Sequence, residues 1–335
     1  MTSPLSSPPS VVPTSSSNIR VLTFNVRGSF HRQDGPNVWN NRKELNLKTI
    51  QACDPDIIGF QEVQSGNFQY YDESFLAQDY DHVKGHACKR TMNWNLQDLQ
   101  DSWSSSSNHV YNYVTRNLGS SSDQDEYVPI YWKRNRFELI RHGSFYLSET
   151  PTVESIGWQS KLIRAATWVC LRDKQESTNN AECIVLNTHL PHERHDATRT
   201  ECACVILQQL AAMSSTPHHI VLGDFNCHAS SPETEAYATF LENGYQDTVV
   251  EDEIQDANKK ASTRQRLDTY HNFMGETCPF SLGRIDWILI KNNNDSDKNN
   301  GKRIEIVQSA RIIRDCQLPL YPSDHYPVVA DLKLQ

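Results

Sequence analysis

No stretch of this 335-residue sequence approaches the 18 or more consecutive apolar residues that a membrane span requires. Met1 is followed by TSPLSSPPSVVPTSSSN, with neither a basic n-region nor an apolar h-region, so no secretory signal is expected. Residues 1–18 read as a disordered tail of Ser, Pro and Thr, ahead of one domain over 19–335. No CxxC pair occurs among the nine cysteines, an odd count, and several sit inside apolar runs such as ATWVCL and ECIVLN. That usage fits reduced, packed thiols and a cytoplasmic location rather than a disulfide frame or a zinc site. Positive charge is short as well. Thirty-two Lys and Arg stand against 41 Asp and Glu, a net of −9, so the whole chain carries no basic footprint for gripping a polyanion. A small phosphate ester, or a metal that neutralises charge, suits this balance better. There is no internal repeat and no linker that would split the chain.

What is present is a series of short apolar runs. Apolar residues make up 37% of the chain and mean hydropathy is −0.63. Strands are expected over 19–26, 56–63, 127–133, 137–147, 165–171, 183–190, 219–225, 284–290, 303–313 and 326–334. Helical spacing marks 38–53, 196–213 and 234–243, and the stripe at 202, 206, 210 and 213 reads as core packing. Strands that are partly consecutive and partly separated by helices point to an α+β fold with mixed sheets. The Ser/Asn-rich stretches 101–126 and 292–301 read as surface insertions, with Trp94, Trp103, Tyr111 and Tyr113 in or near the first expected to pack onto the domain.

Polar residues recur where these strands end. Asn25 closes VLTFN, Glu62 interrupts IIGFQEV, His189 follows IVLNT, Asp224 and Asn226 follow IVLG, Asp286 breaks GRIDWILI, and Asp324-His325 precede YPVVADL. Any one of them could be a satisfied core residue, and the GDFN turn could be Asx side chains bonding their own backbone. Burying so many without a task would cost several kcal/mol each. Convergence on one pocket around a divalent cation explains them together.

The blocks FNVRG, DIIGFQEV, NTHL, GDFN, RID and SDHYPV, in that order, resemble the endonuclease/exonuclease/phosphatase superfamily with its DNase I-like fold. The segment DGPNVWNNR (34–42), with Gly157-Trp158 and Arg164-Ala-Ala-Thr-Trp168 further on, is similar to a less characterised branch of it. The resemblance implies a four-layer α/β/β/α sandwich of two packed mixed sheets with outer helices. It also implies a Mg²⁺-dependent phosphoesterase, with Mn²⁺ as the alternative ion. Glu62 would then be the metal's hard oxygen ligand, with Asn25 and Asp324 completing or orienting the shell. Asp224 would be general base toward water and Asn226 would hold water or phosphate. His325, kept protonated by Asp286, would face the phosphate; His189 would stabilise its other side; Arg164 would reach the substrate phosphate.

Two departures narrow the resemblance. Arg27 stands where DNA-repair members carry an acidic metal ligand, which argues against an abasic-site nuclease. Pro191 follows THL where the branch has Asp, so the substrate-facing loop differs. His192, His195, His218, His219 and His228 lack ligand spacing and read as surface or supporting residues. The expected partner is a phosphate-ester substrate, whether nucleic acid, nucleotide or another small phosphoester; no protein partner is indicated. The competing classes are a catalytically silent binding module, which would have lost a charged member of the set, and a sphingomyelinase-type lipid hydrolase, which would need a membrane-docking loop or anchor.

Overall fold

In the computed structural model the described residues are 18–90, 122–158, 160–192, 196–213, 218–229, 234–249, 267–292 and 303–334. The expected tail up to residue 17, the first insertion through residue 121 with its four aromatic residues, His195, and most of the second insertion lie outside them.

Two six-stranded sheets make the frame. The first runs in the order β13 (Ile304–Ile312), β14 (Val328–Leu334), β1 (Asn18–Asn25), β2 (Ile57–Gln61), β5 (Ile130–Lys133), β3 (Tyr80–Val83). The second runs β11 (Gln246–Asp247), β12 (Asp286–Asn292), β10 (His218–Asp224), β9 (Glu182–His189), β8 (Ala165–Asp173), β6 (Phe137–Tyr146). A two-stranded ribbon joins β4 (Lys89–Arg90) to β7 (Leu162–Ile163). In each large sheet one central pair is parallel, β1 with β2 and β10 with β9, and its outer neighbours are antiparallel. Both sheets are therefore mixed, as the sequence pattern indicated.

The burial pattern explains why the central strands are apolar on both faces. One core cluster, with Val21, Ile57, Val185, Ile220, Leu222 and Ile288, fills the space between the sheets. A second packs the outer face of the second sheet against α4 (Asp196–Ala212) and α5 (Glu235–Glu242) through Cys202, Ile206, Leu210 and Phe240. A third packs the first sheet against α1 (Trp39–Cys53), α2 (Ser65–Asp72) and α3 (Phe75–Asp79) through Phe24, Ile50, Phe60 and Tyr71. The result is the four-layer α/β/β/α sandwich. No helix among the described residues is long and apolar enough to cross a membrane.

Helix α1 buries Arg42 and Asn46, with Thr49, alongside Trp39 and Ile50. At β10, Gly223 has φ +150°, and a Cβ there would lie 2.1 Å from the Thr188 carbonyl oxygen, so only glycine lets β10 lie this close to β9. α2 and α3 were not foreseen. They are about two turns and one turn of chain, whose apolar residues lack a long helical stripe. His218 and His219 also differ from expectation. Both are buried at the start of β10, and His219 Nδ1 lies 3.0 Å from the Tyr245 hydroxyl.

Candidate active site

Strand register assembles the first three residues. Asp224 closes β10 directly opposite His189 on β9 and directly opposite Asp286 on β12, so three neighbouring strands present them in one row. Facing them across the gap between the sheets, Asn25 ends β1 opposite Gln61 on β2, and Glu62 follows immediately. The site thus lies at the C-terminal ends of both parallel pairs. Arg27, Glu62 and Asn226 adopt positive φ of 53°, 59° and 51°, a region costing of order 1 kcal/mol or more for a non-glycine residue. Each sits just past a strand end, where the chain bends to aim a side chain inward.

Asp224 is the hub, and its two oxygens do different work. Oδ1 accepts from the Asn226 backbone N–H at 2.9 Å, the Asx turn anticipated for GDFN. Oδ2 accepts from Asn25 Nδ2 at 2.9 Å and lies 3.4 Å from His189 Nε2 and 3.7 Å from His325 Nε2. The second nitrogen of His325, Nδ1, is 2.9 Å from Asp286 Oδ2. Burial works against the His325 cation, but Asp286 and Asp224 outweigh it and raise its pKa to about 10. It is therefore an imidazolium at neutral pH, donating from Nδ1 to Asp286 and carrying a second proton on Nε2 toward Asp224. Burial, then the like charge of Asp286, pushes Asp224 up to about 7. Burial and then the adjacent Arg164 guanidinium hold His189 well below its ordinary value, so it is a neutral imidazole. Arg164 Nη1 and Nη2 lie 3.1 and 3.3 Å from the two His189 nitrogens, and Nη1 is 3.5 Å from Glu126 Oε2.

Glu62 faces the same space. Its Oε1 accepts from Asn25 Nδ2 at 3.0 Å, while Oε2 is buried with no hydrogen-bond partner among the described residues. Burial would raise its pKa, but Arg27, His189 and His31 together pull it below the usual carboxylate range. A buried carboxylate oxygen held ionised, with His31 Nε2 3.7 Å away and no hydrogen-bond donor among the described residues, fits a divalent cation. Two further donors are close: one atom each of His31, Glu62 and Glu126 lies within 4.8 Å of the others. The other expected ligands stand differently. Asn25 Oδ1 accepts from the Arg27 N–H at 3.0 Å, and Asp324 Oδ2 lies 3.7 Å from Arg27 Nε. Asn226 lines the cavity, with its amide donating to the Leu190 carbonyl at 2.9 Å.

All nine expected residues are buried or half-buried at this one place. Glu62, Arg164, His189, Asp224, Asn226, Asp324 and His325 line a cavity of about 340 Å³, with Asn25 and Asp286 directly behind it. His192 stands at the rim of the same cavity. His31, Glu126 and Tyr270, which sit in loops without periodic signal and so received no role from the sequence, also line it. Nor did the sequence explain DGPNVWNNR. In the structure Asp34 accepts from Arg27 at 3.0 and 3.1 Å, and Asn37 Oδ1 accepts from the Tyr321 N–H at 3.0 Å. Arg42 donates only to main-chain carbonyls, those of Val26, Arg27, Gly28, Asn37 and Pro322. It ties the loop after Asn25 to the loop before Asp324.

A two-sheet sandwich with a His–Asp pair, a bracketed carboxylate and an ionised glutamate at its strand ends defines the class. The endonuclease/exonuclease/phosphatase family model matches residues 22–325, and the chain belongs to that family. No curated protein matches it. Among solved structures it is similar to an endonuclease/exonuclease/phosphatase from Bacteroides vulgatus, with 24% identity and a TM-score of 0.67, covering 95% of this chain and 99% of that one. It is similar to a mannosyl-6-phosphatase of Bacteroides thetaiotaomicron, with 20% identity and a TM-score of 0.65 over 94% and 99% of the two chains. It also resembles D. rerio TDP2 complexed with single-strand DNA product, with 15% identity and a TM-score of 0.62 over 95% and 99%.

Proposed function

We propose that this protein is a metal-dependent phosphoesterase that hydrolyses phosphodiester or phosphomonoester bonds by in-line attack of water. The observation that carries the reading is Asp224 held between a neutral His189 and a protonated His325, opposite the ionised Glu62. Asp224, raised toward neutrality, takes the proton of the attacking water. The new bond joins that oxygen to phosphorus, and the bond to the ester oxygen breaks on the opposite side. His325, oriented by Asp286, donates to a phosphoryl oxygen whose charge grows in the transition state. His189 and Arg164 supply further donors on the other side, with Glu126 fixing the guanidinium. Asn25 holds Glu62 and Asp224 apart at a fixed spacing by donating to both. Glu62, with His31 and Glu126 near it and Asp324 behind Arg27, would hold a divalent cation, which would neutralise charge on the phosphoryl group.

The cavity of about 340 Å³ suits a small phosphoester. The neighbours include a sugar phosphatase and an enzyme crystallised with a DNA product, so the test spans both classes. A cytoplasmic setting accords with nine free cysteines. The experiment is turnover of p-nitrophenyl and bis-p-nitrophenyl phosphate, sugar phosphates, nucleotides and oligonucleotides with Mg²⁺ or Mn²⁺. Glu62→Gln and His325→Ala run beside the parent, with Mn²⁺ binding measured by calorimetry. Turnover abolished by EDTA and lowered about 10³-fold in both variants supports the reading. Mn²⁺ binding should be lost in Glu62→Gln alone. A folded, metal-loaded parent that turns over nothing leaves the fold as a binding module.

A further inference from the structure

Beside the catalytic cavity lies a second one of about 500 Å³, and His31 lines both. Its wall is aromatic. Phe30 is exposed, Tyr70 is half-buried, and Trp39 meets Tyr70 edge-on with ring centroids 6.0 Å apart. Its charge is positive: Arg32 and Lys43 line it against a single acid, Glu73. Among the described residues neither cation pairs with a carboxylate, and Lys43 Nζ rests 4.9 Å from the centre of the Tyr70 ring. The catalytic cavity is the reverse. Its arginines are already engaged, Arg27 with Asp34 and Asp324 and Arg164 with Glu126. Of the two cavities, the second therefore holds the cations without a carboxylate partner among the described residues.

We propose that this second cavity is the leaving-group subsite, and that it takes the alcohol side of a phosphoester carrying a flat ring and a second anionic group: a nucleotide phosphorylated at two positions. The inference rests on the phosphoesterase reading for the position of the scissile phosphate. With that phosphate beside Glu62 and His325, the ester oxygen's substituent passes His31 and enters the second cavity. A ring there stacks on Phe30 or Tyr70, and a second phosphate reaches Arg32 and Lys43. A sugar phosphate without a ring leaves the aromatic wall in water. A neutral alcohol leaves both cations without a counter-charge.

The test compares adenosine 3′,5′-bisphosphate, adenosine 5′-monophosphate, fructose 1,6-bisphosphate and p-nitrophenyl phosphate on the parent and on the Arg32→Ala/Lys43→Ala double variant, neither residue being part of the catalytic set. The expected result is a KM for the nucleoside bisphosphate raised roughly five- to tenfold in the variant, with kcat unchanged. The p-nitrophenyl phosphate kcat/KM should stay constant. An equal loss on both substrates, or no change in KM, overturns the subsite. Fructose 1,6-bisphosphate turned over as efficiently as the nucleotide overturns the ring's part in it. Calorimetric binding of adenosine 3′,5′-bisphosphate separates the two readings. Binding that weakens in the variant while the parent hydrolyses nothing sustains the subsite and removes the hydrolase, whereas hydrolysis of p-nitrophenyl phosphate with no preference for the bisphosphate does the opposite.

Discussion

Replacing Arg42 by Met should destabilise this protein, although the residue lies outside the proposed catalytic row. The side chain is fully buried on α1, and among the described residues its guanidinium pairs with no carboxylate. Nε donates to the Asn37 carbonyl at 2.8 Å, Nη1 to those of Val26 at 2.8 Å and Pro322 at 3.0 Å, and Nη2 to those of Arg27 and Gly28. The Trp39 ring centre is 5.0 Å from its Cζ and that of Phe273 is 5.7 Å away. Met keeps the stem and the ring contacts and loses every donor. Each buried carbonyl left unpaired costs about 1–3 kcal/mol, and water entering the vacated space recovers part of that. Pro322 keeps a second donor, Asn46 Nδ2 at 3.1 Å. Four carbonyls at the low end of the range give a loss of about 4 kcal/mol, which for a chain of this length lowers Tm by about 6 °C. Lys at this position keeps the charge but cannot span five carbonyls, and should recover less than half of the loss. Urea unfolding followed by far-UV circular dichroism measures it directly. A Met variant within about 1 kcal/mol of the parent would refute the argument, because the carbonyls would then be satisfied without the guanidinium.

Two further predictions follow from the site and its frame. Activity that needs Asp224 ionised and His325 protonated should rise with pH near 7 and fall near 10. Asp286→Asn removes a negative charge from beside both, so His325 gives up its proton more easily and Asp224 holds its proton less tightly. Both limbs of the kcat/KM profile should move to lower pH, by about one unit or more, and limbs moving in opposite directions would contradict the pairing. Gly223→Ala should destabilise the fold by about 2–4 kcal/mol, since the new methyl meets the Thr188 carbonyl and β9 must part from β10. His189 and Asp224 face each other across that seam, so calorimetry and kcat should fall together in this variant.

The sequence determined the material of this fold. Apolar runs of five to ten residues, interrupted by two long amphipathic helices, leave no solution but sheets covered on both faces, and the polar residue closing each central run marked where the site would be. Asn25, His189 and Asp224 each allowed a bland reading singly, and only the recurrence of such residues at the ends of buried strands drew attention to them together. Tertiary structure alone decided how those residues are arranged. Register, set by hydrogen bonding between strands far apart in the chain, put Asp224 opposite both His189 and Asp286. Burial among one another's charges then separated two histidines of one ordinary pKa into a neutral imidazole and an imidazolium. His31 and Glu126 left no local signal, because a loop residue acquires its partners only when distant segments close around it. Arg42 was visible as one letter of a motif, but its purpose lay in five carbonyls that no side-chain pattern records.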